Sequence, residues 1–222
     1  MIGFVVAMEK EASLLINKIK IVDEQVIAGK RVVKGILDNK DIVLIIAGIG
    51  KVNAGMGTQI LIDRYNVDII INFGLAGGKQ GCGLKAGDIV QVNKVCQYDF
   101  DLSELDDVSV GYMQDYNTIF FPVSICEKLT HQFPVVNCAT GDRFTSKQIY
   151  LDTIRSLGGM VVDMESGAIA QVAYANNTPM HILKLISDVD GTSESIYTQY
   201  ANNNASICNK IPDAITLLLN HL

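Results

Sequence analysis

The sequence predicts a single α/β domain spanning residues 1–222, a three-layer sandwich in which a mixed, mainly parallel sheet carries helices on both faces. Three observations predict it. Ile2 to Ala7 is an unbroken apolar run, and similar short apolar stretches recur down the chain, as expected of strands covered on both sides. Segments with a strand pattern alternate with segments of helical period, the order that builds helices around a sheet. Finally, 222 residues with 49 % apolar and 19 % charged side chains suffice for one sizeable core, and no linker, repeat or low-complexity tract divides them. Surface scaling gives about 10,000 Å² of accessible surface for a folded chain of this mass.

The elements follow in order. After the first strand, Ala12, Leu15, Ile16 and Ile19 share one helical face. Arg31 to Leu37 and Asp41 to Ala47 read as a hairpin about an Asp38-Asn39 turn. Gly48-Ile49-Gly50 precedes a helix over Val52 to Tyr65. Val67 to Phe73 reads as a strand that ends in a glycine loop, Gly74 to Gly78, and Asp88 to Cys96 as a further strand. Tyr98 to Phe121 is acidic, aromatic and aperiodic, a long loop of the kind that serves function or an interface. Val135 to Ala139 and Met160 to Val162 are strands, separated by a short helix over Lys147 to Ser156. A helix from about Glu165 to Ala175 stops before Pro179, and His181 to Ile186 is the last strand. Ser195 to Leu222 is helical, with Pro212 as a break.

Composition narrows the function. A net charge of −6 argues against a nucleic-acid partner, which needs clustered Lys and Arg. The five cysteines have no C-x-x-C spacing, and the three histidines have no ligand spacing, so neither a metal nor a redox site is expected. The apolar N-terminus is short, lacks a basic leader and runs into Glu9, Lys10 and Glu11, unlike a signal peptide. No apolar run reaches the roughly 18 residues of a membrane span. The expectation is a cytoplasmic protein without cofactor, metal, membrane or nucleic-acid partner.

In sheets of this class ligands bind beyond the carboxyl ends of strands, so polar residues there matter most. Glu9 and Glu11 follow the first strand, the glycine loop another, Asp163-Met164-Glu165-Ser166 a third and Ser187-Asp188 the last. Each has an ordinary explanation: helix-dipole acids, tight packing, an N-cap, an Asx-turn. Gly48 to Gly55 fits neither a dinucleotide fingerprint nor a phosphate-binding loop, and no G-x-S-x-G elbow occurs. Jointly, Glu11, Glu165 and Asp188 at three strand ends suit cleavage of a glycosidic bond. That reaction needs an acid for the leaving group, a base for water and negative charge beside an oxocarbenium-like centre.

Ala7-Met8-Glu9-Lys10-Glu11, Gly48 to Val52, Asn72 to Gly78, Gly83 to Val90, Thr140 to Phe144, Asp163 to Ser166 and Ile186 to Val189 occur in the order found in the 5′-methylthioadenosine/S-adenosylhomocysteine nucleosidases. The chain resembles that family, of the nucleoside phosphorylase superfamily, over nearly its whole length. The resemblance implies that Glu11 activates the attacking water and that Asp188, oriented by Ser187, protonates adenine N7. It implies that Glu165 holds the ribose 2′- and 3′-hydroxyls above Met164, that the backbone at Phe144 and Thr145 reads the adenine edge, and that Met8, Ile49 and Tyr197 line the pocket for the 5′ substituent. Leu75, Ala76, Gly77, Asp163 and Lys184 join the binding site. Family members are homodimers whose loop, here around Leu102 and Leu105, reaches into the neighbour's site. This chain departs from the family pattern at Leu75, commonly Ser, and at Lys184, commonly Arg, two positions that help hold the nucleophilic water. Lys keeps the charge but loses the planar fork. Arg143 is expected only to form a surface salt bridge.

Two other readings stay open. A purine nucleoside phosphorylase would have to cradle phosphate, which Glu9 and Glu11 would repel, while Lys10 and Lys79 are expected to be solvated. A non-catalytic nucleoside-binding protein on the same fold is the third reading, motivated by Leu75 and Lys184. 5′-Deoxyadenosine is a further candidate substrate of the nucleosidase.

Overall fold

The computed structural model describes residues 1–222, apart from the side chains of Asp106 and Ala205. Its accessible surface is 9891 Å², in line with the scaling argument. Ten strands make one mixed sheet: β1 (Ile2–Val6), β2 (Lys20–Ile27), β3 (Lys30–Leu37), β4 (Lys40–Ile46), β5 (Ile69–Gly78), β6 (Ile89–Gln97), β7 (Phe121–Pro122), β8 (Val135–Thr140), β9 (Val161–Asp163) and β10 (Met180–Val189). The helices are α1 (Glu9–Ile16), α2 (Lys51–Tyr65), α3 (Ser103–Asp106), α4 (Gln148–Ser156), α5 (Ser166–Ala175), α6 (Ile196–Ile207) and α7 (Ile211–Leu219). This is the expected α/β layering. One core lies between the sheet and α2 with α5, through Ala54, Leu61, Ile169 and Ala173. The other lies under α1 and α7, through Leu15, Ile16, Ile215 and Leu218.

The centre of the sheet is parallel, β4–β1–β5–β10, and antiparallel hairpins extend it on the β3–β2 side. The β3–β4 turn has Asp38 and Asn39 at φ 49° and 62°, the left-handed pair that a tight hairpin requires. The edge strand β2 has no counterpart in the sequence reading. It is exposed on both faces, so its residues carry no alternation that could signal it.

β5 organises the rest. One of its edges pairs with β10 throughout, from Ile70 to Gly78. The other edge pairs with β1 as far as Asn72 and with β9 only at Gly77 and Gly78. Because β10 pairs β6, β6 pairs β8 and β8 pairs β9, strands β5, β10, β6, β8 and β9 close into a ring. Between the end of β1 and the start of β9, Phe73 to Ala76 face a gap in the ladder.

Several boundaries differ from expectation for reasons visible here. Gly74 to Gly78 is the second half of a long strand, not a loop after one; pairing with β10 holds it extended despite its glycines. β10 likewise runs on to Val189, with a bulge between Ile186 and Asp188 that places Ser187 as the extra residue. The stretch from Tyr98 to Phe121 is largely irregular, as expected, but contains α3 and a 3₁₀ turn at Gln114–Tyr116. The C-terminal helical region breaks, as expected, at the 3₁₀ turn Cys208–Lys210, and Pro212 sits in the first turn of α7, where a missing N–H costs nothing.

α5 approaches β8 closely because residue 167 is glycine: an added Cβ would lie 2.7 Å from Gln97 Cγ and 2.9 Å from Thr140 Cβ. Gly167 N–H donates to Thr140 Oγ1 at 2.8 Å across the same contact. Gly167→Ala is therefore expected to destabilise by about 1–3 kcal/mol. A urea midpoint that falls at constant slope checks it.

Candidate active site

The gap along β5 opens into a cavity of ≈ 320 Å³. Its walls come from the end of β1 (Ala7, Met8), α1 (Glu11), β5 (Leu75, Ala76, Gly77), the end of β9 (Val162 to Glu165), β10 (Ser187, Asp188) and α6 (Ile196, Tyr197, Tyr200), with Ile49, Lys79, Arg143, Phe144 and Thr145 around them.

Glu11 lies in the first turn of α1, where its Oε2 accepts the Met8 N–H at 3.0 Å. Its Oε1 accepts the Leu75 N–H at 2.9 Å, the donor that the β5 gap leaves without a strand partner. The carboxylate is thus pinned by two elements, and an added Cβ on Gly74 would meet its Oε1 at 2.9 Å. Burial pushes the Glu11 carboxyl upward, against the two backbone donors and the charge of Lys184. Glu9, by contrast, points outward and pairs with Arg31. The ordinary and the functional explanations of these two acids therefore separate by residue.

The bulge in β10 turns Ser187 and Asp188 both toward buried space. Ser187 Oγ donates to Asp188 Oδ1 at 2.6 Å. Asp188 Oδ2 occupies the room over Gly77, where an added Cβ would stand 3.0 Å away. Burial raises the Asp188 carboxyl, with Ser187 and Lys79 opposing and Asp190 reinforcing. From α6, Asn203 donates to the Ser187 carbonyl at 3.0 Å, while Gln199 accepts the Val189 N–H and donates to its carbonyl, both at 3.0 Å. These bonds tie the aromatic wall of α6 to the strand that carries Asp188.

Glu165 stands just before α5, its Oε1 accepting the Gly50 N–H at 2.8 Å. Burial and the neighbouring Asp163 push its carboxyl to about 7. Asp163, two residues before the N-cap of α5, accepts the Ser166 N–H at 3.0 Å and the hydroxyls of Ser166 and Thr140, each at 2.5 Å. Its Oδ2 also lies 2.8 Å from Lys184 Nζ, and both side chains are almost wholly buried. Although burial opposes ionisation of Asp163, Lys184 and the two hydroxyls outweigh it and hold the carboxyl below its usual range. At the mouth, Phe144 lies 5.0 Å from the ring of Tyr197 and 5.5 Å from that of Tyr200.

The structure brings together Met8, Glu11, Ile49, Leu75, Ala76, Gly77, Phe144, Thr145, Asp163, Met164, Glu165, Ser187, Asp188 and Tyr197. Three expected residues are not among those lining the cavity. Lys184 is drawn beneath the floor by Asp163. Leu102 and Leu105 lie on the long connection away from it, with Leu105 77 % exposed. Two further expectations are corrected. Lys79 is not solvated but buried, 3.3 Å from Asp190. Arg143 makes no salt bridge among the described residues; it lies over the Tyr150 ring at 4.5 Å and donates to its hydroxyl. The residues that the sequence reading missed include Tyr200, which a helical spacing of three from Tyr197 could have flagged. Ala7, Val162 and Ile196 carry no chemical signal to find.

Residues 1–215 match the family model of the phosphorylase superfamily, so the chain belongs to that class of α/β proteins. Among similar chains, a 5′-methylthioadenosine/S-adenosylhomocysteine nucleosidase of Oceanobacillus iheyensis is 33 % identical over 92 % of this chain and 95 % of its own. The enzyme of the same name from Bacillus licheniformis is 35 % identical over 88 % of each chain. The solved nucleosidase from S. pneumoniae, bound to a transition-state inhibitor, superposes with a TM-score of 0.87 at 26 % identity, covering 99 % of this chain and 98 % of that one. The chain belongs to the 5′-methylthioadenosine/S-adenosylhomocysteine nucleosidase family, and it is an enzyme of the nucleosidase class.

Lys184→Met leaves the Asp163 carboxylate buried without its cation and is expected to cost about 3–5 kcal/mol. Urea denaturation measures it, and adding Asp163→Asn to the same chain should recover part of the loss.

Proposed function

We propose that this chain hydrolyses the N-ribosidic bond of 5′-methylthioadenosine and S-adenosylhomocysteine, releasing adenine. The observation that carries the reading is that Glu11 and Asp188, on different elements and both raised by burial, face one cavity. Adenine leaves poorly as an anion, so a proton must reach N7 as the C1′–N9 bond breaks. Asp188 supplies it: Ser187 occupies Oδ1, and Oδ2 is left over Gly77 to donate. Glu11, whose anion is held by two backbone N–H groups, takes the proton from the water whose oxygen bonds to C1′. Glu165 accepts from the ribose hydroxyls, and Met164 packs beneath the sugar. Phe144 covers the adenine, and Met8, Ile49 and Tyr197 receive the 5′ substituent.

The chemistry at the cavity favours water over phosphate as the nucleophile. Glu9 is turned away and repels nothing, but Lys79, the buried cation lining the cavity, is already engaged by Asp190. A second copy of the chain is part of this reading. Leu105 is an apolar side chain without cover in the single chain, and the loop bearing Leu102 and Leu105 would complete the neighbour's pocket. Among the described residues no helix is long and apolar enough to cross a membrane, and a cytoplasmic setting suits this small-molecule reaction.

Purified protein is expected to release adenine from 5′-methylthioadenosine at equal rates with and without phosphate. Glu11→Gln and Asp188→Asn should each lower kcat by about 10²–10⁴-fold. Full activity in both variants, or a strict need for phosphate, would end the proposal. The pH profile of kcat/KM is expected to be bell-shaped. The acidic limb falls as Glu11 gains a proton, and the alkaline limb falls as Asp188 loses one. A profile flat through pH 4–10 would contradict the pairing of roles.

A further inference from the structure

β5 and β10 run side by side, with Gly77 opposite Asp188 and Gly78 opposite Val189. The next residue on each strand is charged: Lys79 after β5 and Asp190 after β10. Lys79 and Asp190 stand just past the paired strand ends, each two residues beyond the Gly77–Asp188 pair, and both charges act on the Asp188 carboxyl. Both are 4 % exposed, and Lys79 Nζ lies 3.3 Å from Asp190 Oδ2. Lys79 also lines the cavity, whereas Asp190 does not. Asp190 is held by the Gln80 N–H and, on its outer side, by Arg155 at 3.7 Å.

Burying an ion pair has a desolvation cost that its mutual attraction barely offsets, so stability is a poor reason for this pair to exist. We propose that Lys79 and Asp190 are positioning residues that set the charge beside Asp188, so that their balance fixes the pH at which this acid surrenders its proton. The inference rests on Asp188 being the acid. Lys79 alone would favour the Asp188 carboxylate. Asp190 alone would favour the protonated form. Together they leave the carboxyl to be governed by burial.

Other charged and titratable groups around the cavity do not supply this balance. Glu11 is held by backbone donors on α1 and β5, and Glu165 by Gly50. Asp163 is matched by Lys184 beneath the floor. Arg143 is exposed and engaged with Tyr150, and Tyr197 and Tyr200 on α6 pack with Phe144. Arg155 reaches Asp190 and not the cavity.

The test is the pH profile of kcat/KM for adenine release by the full chain. Lys79→Met is expected to move the alkaline limb up by about one pH unit, because the nearby cation is gone. Asp190→Asn should move it down by about one unit, because Lys79 is then unopposed. The double variant should return the limb close to its original position, and Lys79→Arg should leave it there. If Lys79→Met is too unstable to purify, Lys79→Gln carries the same expectation. Limbs that stay in place in folded single variants, or that move in the same direction, overturn the inference. Asp188→Asn separates the two levels: if it retains full activity, the acid itself is misassigned. If it is inactive while the Lys79 and Asp190 variants keep the original limb, only the role of the ion pair falls.

Discussion

The site depends on one interruption in hydrogen bonding. A strand in the middle of a sheet normally satisfies both of its edges, and an unpaired buried N–H carries a free-energy cost. On one edge of β5, β1 has ended and β9 has not yet begun. The Leu75 N–H in that interval is satisfied by the Glu11 carboxylate. The cavity, the position of Glu11 and the integrity of the sheet are therefore one constraint. A longer β1 would close the ladder and take the donor from Glu11.

The same economy governs the charges. Three carboxyl groups, Glu11, Glu165 and Asp188, face the cavity and are raised by burial. The two buried lysines near them are kept at one remove. Lys184 sits under the floor against Asp163, and Lys79 at the side against Asp190. Each of these lysines thus lends field without forming a direct bridge to any of the three, which would fix that group as a carboxylate. A base must be ionised and an acid protonated in the same small volume. Arranging this takes unequal environments rather than uniform burial.

Much of this was legible in the sequence. Apolar runs and helical spacing gave the order of elements, because central strands and packed helices announce themselves by period. The edge strand β2 did not, since exposure on both faces removes the pattern. The glycine run from Gly74 to Gly78 read as a loop because local propensity says so, and pairing with β10 overrides it. The bulge at Ser187 is likewise a matter of register between distant strands, so nothing in Ile186 to Val189 declares it. Lys79 is the clearest case. A lysine beside glycines is expected in solvent, and only the meeting of β5 with β10 supplies the aspartate that allows its burial.

The position of Leu75 shows how a departure from the family pattern can be absorbed. The family's serine there would bring a hydroxyl to the cavity, and leucine brings none. Yet the bond that fixes Glu11 comes from the backbone of residue 75, which any residue but proline provides. Lys184 differs in kind, because its Nζ is committed to Asp163. Its charge acts on Glu11 through the protein rather than by contact, lowering the carboxyl against burial. The Glu11 carboxylate is therefore oriented by main chain and tuned by a remote cation. Each of the two carboxylate oxygens still retains a lone pair beyond the backbone bond it accepts, so the proposed role in activating water does not require a hydroxyl at residue 75.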